Sequence, residues 1–207
     1  MKKIITIIIS LIMIFNLSGC ALFESKLNDI KGNLSGNGYT IETYDNYGNK
    51  IMTTKGGKIN IKGNPVESTS YDSDGSVITN YELSSVITIN IDGKEIESCG
   101  NTCIFSQTGL KPDVNFSQED IYSEDDGKIS NNTLISNIIN KYKNNFGKSR
   151  VVVIKSQLGL PITAYSGDEV YWSVPKKLPK MTKLMIDGKA LYIHRANYQI
   201  IDTELLN

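Results

Sequence analysis

The chain of 207 residues holds one histidine, one tryptophan and three cysteines, and its only arginines are Arg150 and Arg195. Each shortage excludes something. With His194 alone, a relay or metal site built on two histidines cannot form. The cysteines, Cys20, Cys99 and Cys103, contain no Cys-x-x-Cys pair, so a tetrahedral thiolate zinc site is excluded too. No phosphate-binding Walker loop, Gly-x-Ser-x-Gly elbow or His-Glu-x-x-His helix occurs. No catalytic residue, metal ligand or cofactor is therefore assigned from sequence. Lys plus Arg and Asp plus Glu balance at 22 each, which leaves no basic footprint for nucleic acid.

Long apolar runs are also scarce. The single one, from Ile4 to Phe15, follows Lys2 and Lys3 and is interrupted only by Thr6 and Ser10. It falls short of the roughly 20 residues a membrane-spanning helix needs. A basic start, a short apolar core and small residues at its end make a secretory signal. Here Leu17-Ser18-Gly19-Cys20 resembles the bacterial lipobox, which implies a signal peptide over 1–19, lipidation of Cys20 and a chain anchored to the outer face of the cell membrane. Leu22, Phe23, Leu27, Ile30 and Leu34 recur at helical spacing, so the tether over 20–38 is expected to be a short amphipathic helix.

The rest, 39–207, reads as one β-rich domain. Asp-Gly pairs flanked by alternating apolar residues mark hairpins at Asp74-Gly75, Asp92-Gly93 and Asp187-Gly188. Residues 105–128 form an acidic loop, and Leu134, Ile135, Ile138, Ile139, Tyr142 and Phe146 give residues 131–146 the pattern of a one-faced helix. Residues 40–61 align without gaps on 151–172, matching Gly48 with Gly159, Ile51 with Ile162 and Gly56 with Gly167. IDGKEIES (91–98) then matches IDGKALYI (186–193), after about 16 extra residues in the first half. Pseudo-repeats over about 40–98 and 151–193 follow. The expected class is mainly β with one packed α-helix (α+β): two similar antiparallel units forming one sandwich or barrel-like domain, the helix between them in sequence.

Candidate sites are few. In CGNTC a tight turn at Gly100-Asn101-Thr102 brings Cys99 and Cys103 within disulfide reach. Both a bridge and two free thiols stand at this point. SYDSDGSV has the wrong residues at the first and last positions of a calcium loop and reads as a hairpin. Acid pairs such as Glu42 with Asp45, or Asp168 with Glu169, are where a carboxylate-dependent hydrolase would have to find its chemistry. Tyr171, Trp172, Tyr192 and Tyr198 are candidate ligand-binding aromatics or ordinary core. His194 and Arg195 are a candidate polar site, with a structural strand histidine as the plainer reading.

TYDNYGNK near the start and DGKALYIHRANYQIID at the end resemble an uncharacterised family of lipoproteins from low-GC Gram-positive bacteria, a domain of unknown function. The likeness runs from about Leu27 to the C-terminus. It implies a lipid-anchored surface protein and supplies no activity, ligand or catalytic residue. The reading that results is a non-catalytic binding or envelope-associated module, with the membrane as partner through Cys20 and an envelope component or glycan as ligand. The alternative is an extracytoplasmic hydrolase or carbohydrate-active enzyme using carboxylates.

Overall fold

The computed structural model describes residues 31–33, 38–116 and 148–206. Fourteen strands run through them: β1 (Lys31–Asn33), β2 (Tyr39–Tyr44), β3 (Lys50–Gly56), β4 (Ile59–Tyr71), β5 (Val77–Ile91), β6 (Lys94–Cys99), β7 (Thr102–Gln107) and β8 (Val114–Asn115), then β9 (Arg150–Lys155), β10 (Pro161–Gly167), β11 (Val170–Ser173), β12 (Met181–Ile186), β13 (Lys189–His194) and β14 (Asn197–Asp202). A single 3-10 turn, Thr203–Leu206, follows.

All pairings are antiparallel and make three sheets: β1-β4-β5-β6, β14-β9-β10-β8, and a six-stranded β11-β12-β13-β7-β2-β3. The six-stranded sheet is the middle layer. On one face Ile41, Phe105, Met181 and Tyr192 pack against Ile59, Ile61, Ile87 and Ile89 of the first sheet. On the other, Ile104, Leu184, Leu191 and Ile193 pack against Val152, Ile154, Ile162 and Tyr165 of the second. Strands buried on both faces lose the alternation of a half-exposed strand, and TCIFSQ and ALYIH are buried almost throughout. Val114, Val151, Val153 and Ala164 form a third buried cluster, on the far face of the second sheet.

The expected α+β class is corrected. Among the described residues there is no α-helix on the sheets; the 131–146 helix expectation lies outside them, as does the second half of the acidic loop, 117–128. Nor do two units close one core as a two-sheet sandwich or a barrel. Each unit spans two layers, and β7 joins β13 edge to edge, from Cys103 opposite His194 to Ser106 opposite Leu191. That junction makes one continuous middle sheet with a core on each side. Two boundaries also move. Lys31–Asn33, within the stretch assigned to the tether, pairs with Asn60–Lys62 of β4, and Phe105–Gln107 belong to β7, not to a loop.

The matched halves share their connectivity. In the first, β3-β2-β7 form one layer and the meander β4-β5-β6 the other; in the second, β10-β9-β14 and β11-β12-β13 do the same. Their turns agree residue for residue. The Asp92 carboxylate accepts the backbone N–H groups of Gly57 and Lys58 at 3.1 and 2.8 Å. Asp187 accepts those of Asp168 and Glu169, both at 2.9 Å. Both aspartates adopt left-handed backbone, φ 49° and 45°, as a type I′ hairpin turn demands.

Candidate functional site

The β13–β14 turn, His194-Arg195-Ala196-Asn197, occupies the place of Cys99-Gly100-Asn101-Thr102 in the first half. The turn needs a left-handed residue at its second position. Gly100 supplies it at φ 94°, whereas Arg195 adopts φ 53°. A non-glycine residue held there costs of order 1–3 kcal/mol, and such strain clusters at sites of function. Lys180, at φ 52°, is the neighbouring case. The two are locked together, because the Arg195 N–H donates to the Lys180 carbonyl at 3.0 Å. Thr102 Oγ1 holds the Arg195 carbonyl at 2.6 Å.

Beside this turn lies a pocket of about 440 Å³ lined by Gln157, Val174, Lys180, Thr182, Arg195 and Asn197, with Met181 and Ala196 completing the wall. No carboxylate lines it. Its floor is organised by Gln157, whose amide donates to Asn46 Oδ1 at 2.9 Å and to the Gly100 carbonyl at 2.6 Å. The Gln157 carbonyl oxygen in turn accepts from Arg195 at 3.3 Å, which aims the guanidinium. Arg195 Nε is buried without a hydrogen-bond partner. Among the described residues neither Arg195 nor Lys180 forms an ion pair. Two cations beside a cleft that no carboxylate lines have the chemistry to receive an anion.

His194 stands behind it, fully buried, with neither ring nitrogen hydrogen-bonded. The Pro179 carbonyl lies near enough to favour the charged ring, but not in hydrogen-bonding geometry. Burial, then the charges of Arg195 and Lys180, push its pKa down to about 4. At neutral pH it is an uncharged imidazole held beside two positive charges. It faces Cys103 across the β7–β13 junction and Met181 across β12.

The other sequence candidates disperse. Of the two alternatives for CGNTC, the structure has the free thiols: Cys99 and Cys103 are not bridged. Strand alternation explains it, since Cys99 turns to solvent while Ser98 turns inward, its Oγ 3.7 Å from the buried Cys103 sulfur. Thr43 Oγ1 lies at 4.0 Å on the other side of that sulfur, and burial pushes the thiol pKa up. The four aromatics do not form one platform. Tyr192 is buried edge-on to Tyr39 at 6.2 Å, Tyr198 packs on the core of the second outer sheet, and only Tyr171 and Trp172 are exposed, at 63% and 65%. Cys20 lies outside the described residues.

The acid pairs are occupied. Glu42 takes Lys50 and the Tyr44 hydroxyl. Slight burial works against Asp45, but hydrogen bonds from the Asn49 side chain and from the backbone of Asn49, Tyr47 and Gly48 outweigh it and hold its pKa below the usual range. Asp168 is likewise lowered, chiefly by the Lys148 ammonium and the Ser149 N–H. Neither Asp45 nor Asp168 keeps a proton for general-acid work near neutral pH. A larger groove of about 760 Å³ opens between β2–β3 and β8–β10. Within it Ser106 and Tyr165 pair at 2.9 Å, and Glu42 brings a carboxylate to its wall. The smaller cleft, which no carboxylate lines, is the better candidate for an anion. Among the described residues no cluster of His, Cys, Asp and Glu is arranged to hold a metal ion.

Sequence reasoning singled out His194 and Arg195 but missed Gln157 and Lys180. One signal was available: the pseudo-repeat sets Arg195 opposite a turn glycine. No curated protein and no solved structure matches the chain. A family model described as a domain of unknown function, DUF5052, matches residues 2–206. The protein belongs to that family.

Proposed function

We propose that this protein is a non-catalytic, outward-facing surface lipoprotein, tied to the cell membrane at Cys20, whose recognition site is the Arg195–Lys180 cleft. Its ligand is a small anionic group, a phosphate or carboxylate. The observation that carries this reading is the pairing of Arg195 and Lys180, each in strained left-handed backbone, around a pocket that no acid neutralises. A purely structural turn would take glycine there, as the first half does.

Titration with inorganic phosphate against a chloride control, followed by ³¹P line broadening, tests the site. Saturable binding is expected, lost in Arg195→Gln and in Lys180→Gln, and retained in Lys55→Gln, which alters the larger groove. Phosphate behaving like chloride, or a loss confined to Lys55→Gln, contradicts the assignment. Anchoring is tested separately: Cys20→Ser is expected to move the protein from the detergent phase to the aqueous phase.

A further inference from the structure

The edge of the middle sheet beside the cleft brings exposed aromatics next to a run of lysines. Among the described residues β11 pairs only with β12, which leaves no strand on its outer edge. Tyr171 and Trp172 project from its two faces, and Val174 follows in the next loop; all three are more than half exposed. Between Glu169 and Asp187 the chain carries Lys176, Lys177, Lys180 and Lys183 and no acid. Val174 and Lys180 both line the anion cleft, so the aromatic edge and the cleft form one continuous surface.

The chain enters the domain at this place. β1 pairs with β4, Lys31 opposite Lys62. At the next residue, Gly63, a side chain is excluded because a Cβ would lie 2.8 Å from the Lys177 carbonyl and 3.1 Å from Pro179. The lysine loop therefore packs directly beside the strand that receives the N-terminal segment. Only ten residues lie between Cys20 and Lys31, a reach of at most about 40 Å even when fully extended. A lipid on Cys20 would hold the bilayer within that distance of the loop.

We infer that the β11 edge and the 174–183 loop dock on the surface of an anionic bilayer, with a lipid headgroup phosphate in the Arg195–Lys180 cleft. Trp and Tyr settle at the headgroup level, where an apolar ring and a polar tip are both satisfied. An edge strand approaching edge-on brings side chains from both of its faces to the interface, which is why Tyr171 and Trp172 serve together despite pointing apart. The lysines supply attraction to anionic headgroups. This inference rests on the anion-cleft and anchoring readings above and names their ligand.

Trp172 is the only tryptophan, so its fluorescence reports this surface alone. The full chain is incubated with phosphatidylcholine vesicles, with and without phosphatidylglycerol, and followed by flotation and by quenching with bromine-labelled lipid. Flotation on both vesicle types is expected, with a blue shift and quenching of Trp172 only when phosphatidylglycerol is present. Lys176→Glu with Lys183→Glu, which spares the cleft, is expected to weaken the phosphatidylglycerol-dependent signal by about fivefold or more for each lysine reversed. Arg195→Gln is expected to weaken it too. Flotation without any phosphatidylglycerol-dependent change at Trp172 overturns docking and leaves anchoring intact. Failure to float on phosphatidylcholine, with Trp172 still quenched on phosphatidylglycerol, overturns anchoring and leaves docking intact. Saturable phosphate binding with an unresponsive Trp172 keeps the anion cleft and rejects the lipid as its ligand.

Discussion

Set β2–β7 against β9–β14 and two kinds of position separate. Where the halves agree, the residues solve a backbone problem. Gly48 and Gly159 take φ 94° and 90° at one turn, and the IDGK aspartates each hold two N–H groups of the facing hairpin. Where they differ, the difference lies on the surface. The first half extends β4 and β5 into a ribbon whose outer part, residues 66–82, is almost wholly exposed. It carries Glu67, Asp72, Asp74 and Glu82 and no basic residue. At the same place the second half has a short lysine-rich loop and exposed aromatics. The first half closes its last turn with Gly100 beneath a solvent-facing Cys99; the second closes it with Arg195 beneath a buried His194. Turn chemistry preserves the scaffold, and the departures from it collect at the cleft.

The largest effect expected from breaking this comparison is at His194. Its folded-state pKa of about 4 lies below the unfolded value near 6.5. As pH falls from 6.5 toward 4 the unfolded chain takes up a proton that the folded one refuses, so stability falls through that window. The loss amounts to about 3 kcal/mol at most. His194→Gln is expected to remove the slope while changing stability at pH 7 by no more than about 1–2 kcal/mol. The depressed carboxylates of Asp45, Asp74, Asp168 and Asp187 lose their contribution only at lower pH, below about 3.8, in parent and variant alike. Denaturant midpoints between pH 7 and pH 4 check this. A parental slope in the variant would show that another group titrates.

The equivalent glycines give the next test. A Cβ on Gly167 would lie 2.7 Å from Ile186 Cγ2, and one on Gly56 would lie 2.4 Å from Ile91 Cγ2. The clash at Gly56 is tighter, yet Ile91 is only partly buried whereas Ile186 is buried between two layers. Gly167→Ala is therefore expected to cost about 2–3 kcal/mol, and Gly56→Ala about 1, because Ile91 has room to turn away. Thermal melts of the two variants decide, and the reverse order would break the packing account.

Much of the local structure was legible, for reasons that show in single residues. Asp-Gly turns announce themselves because both positions tolerate positive φ, and β-branched runs such as Val77–Ile91 make strands even where, as at Val77–Glu82, they stay exposed. The layering was not legible from pattern alone. Whether Thr102–Gln107 pairs with Lys189–His194 depends on surfaces contributed by four other segments. The doubly apolar runs of β7 and β13 were the clue to a central sheet. The cleft was hidden for a similar reason, since Gln157, Lys180 and Arg195 come from three separate connections. Cys99 and Cys103 left both alternatives open because spacing says how far apart two α-carbons are and nothing about which way the strand turns each thiol.

The smallest effect sharpens the claim that strain marks the site. Arg195→Gly restores the residue of the first half, and should raise stability by about 1 kcal/mol by removing the left-handed penalty. It should also weaken phosphate binding. A variant that loses both stability and binding would mean the guanidinium is structural.

The most direct measurement uses the only histidine. Its imidazole gives one set of NMR signals, and its pKa is held down in part by Arg195 and Lys180. An anion seated between those cations neutralises them, so phosphate should raise the His194 pKa from about 4 toward its ordinary value, and Arg195→Gln should abolish the phosphate dependence. An identical His194 titration with and without phosphate would contradict the anion site.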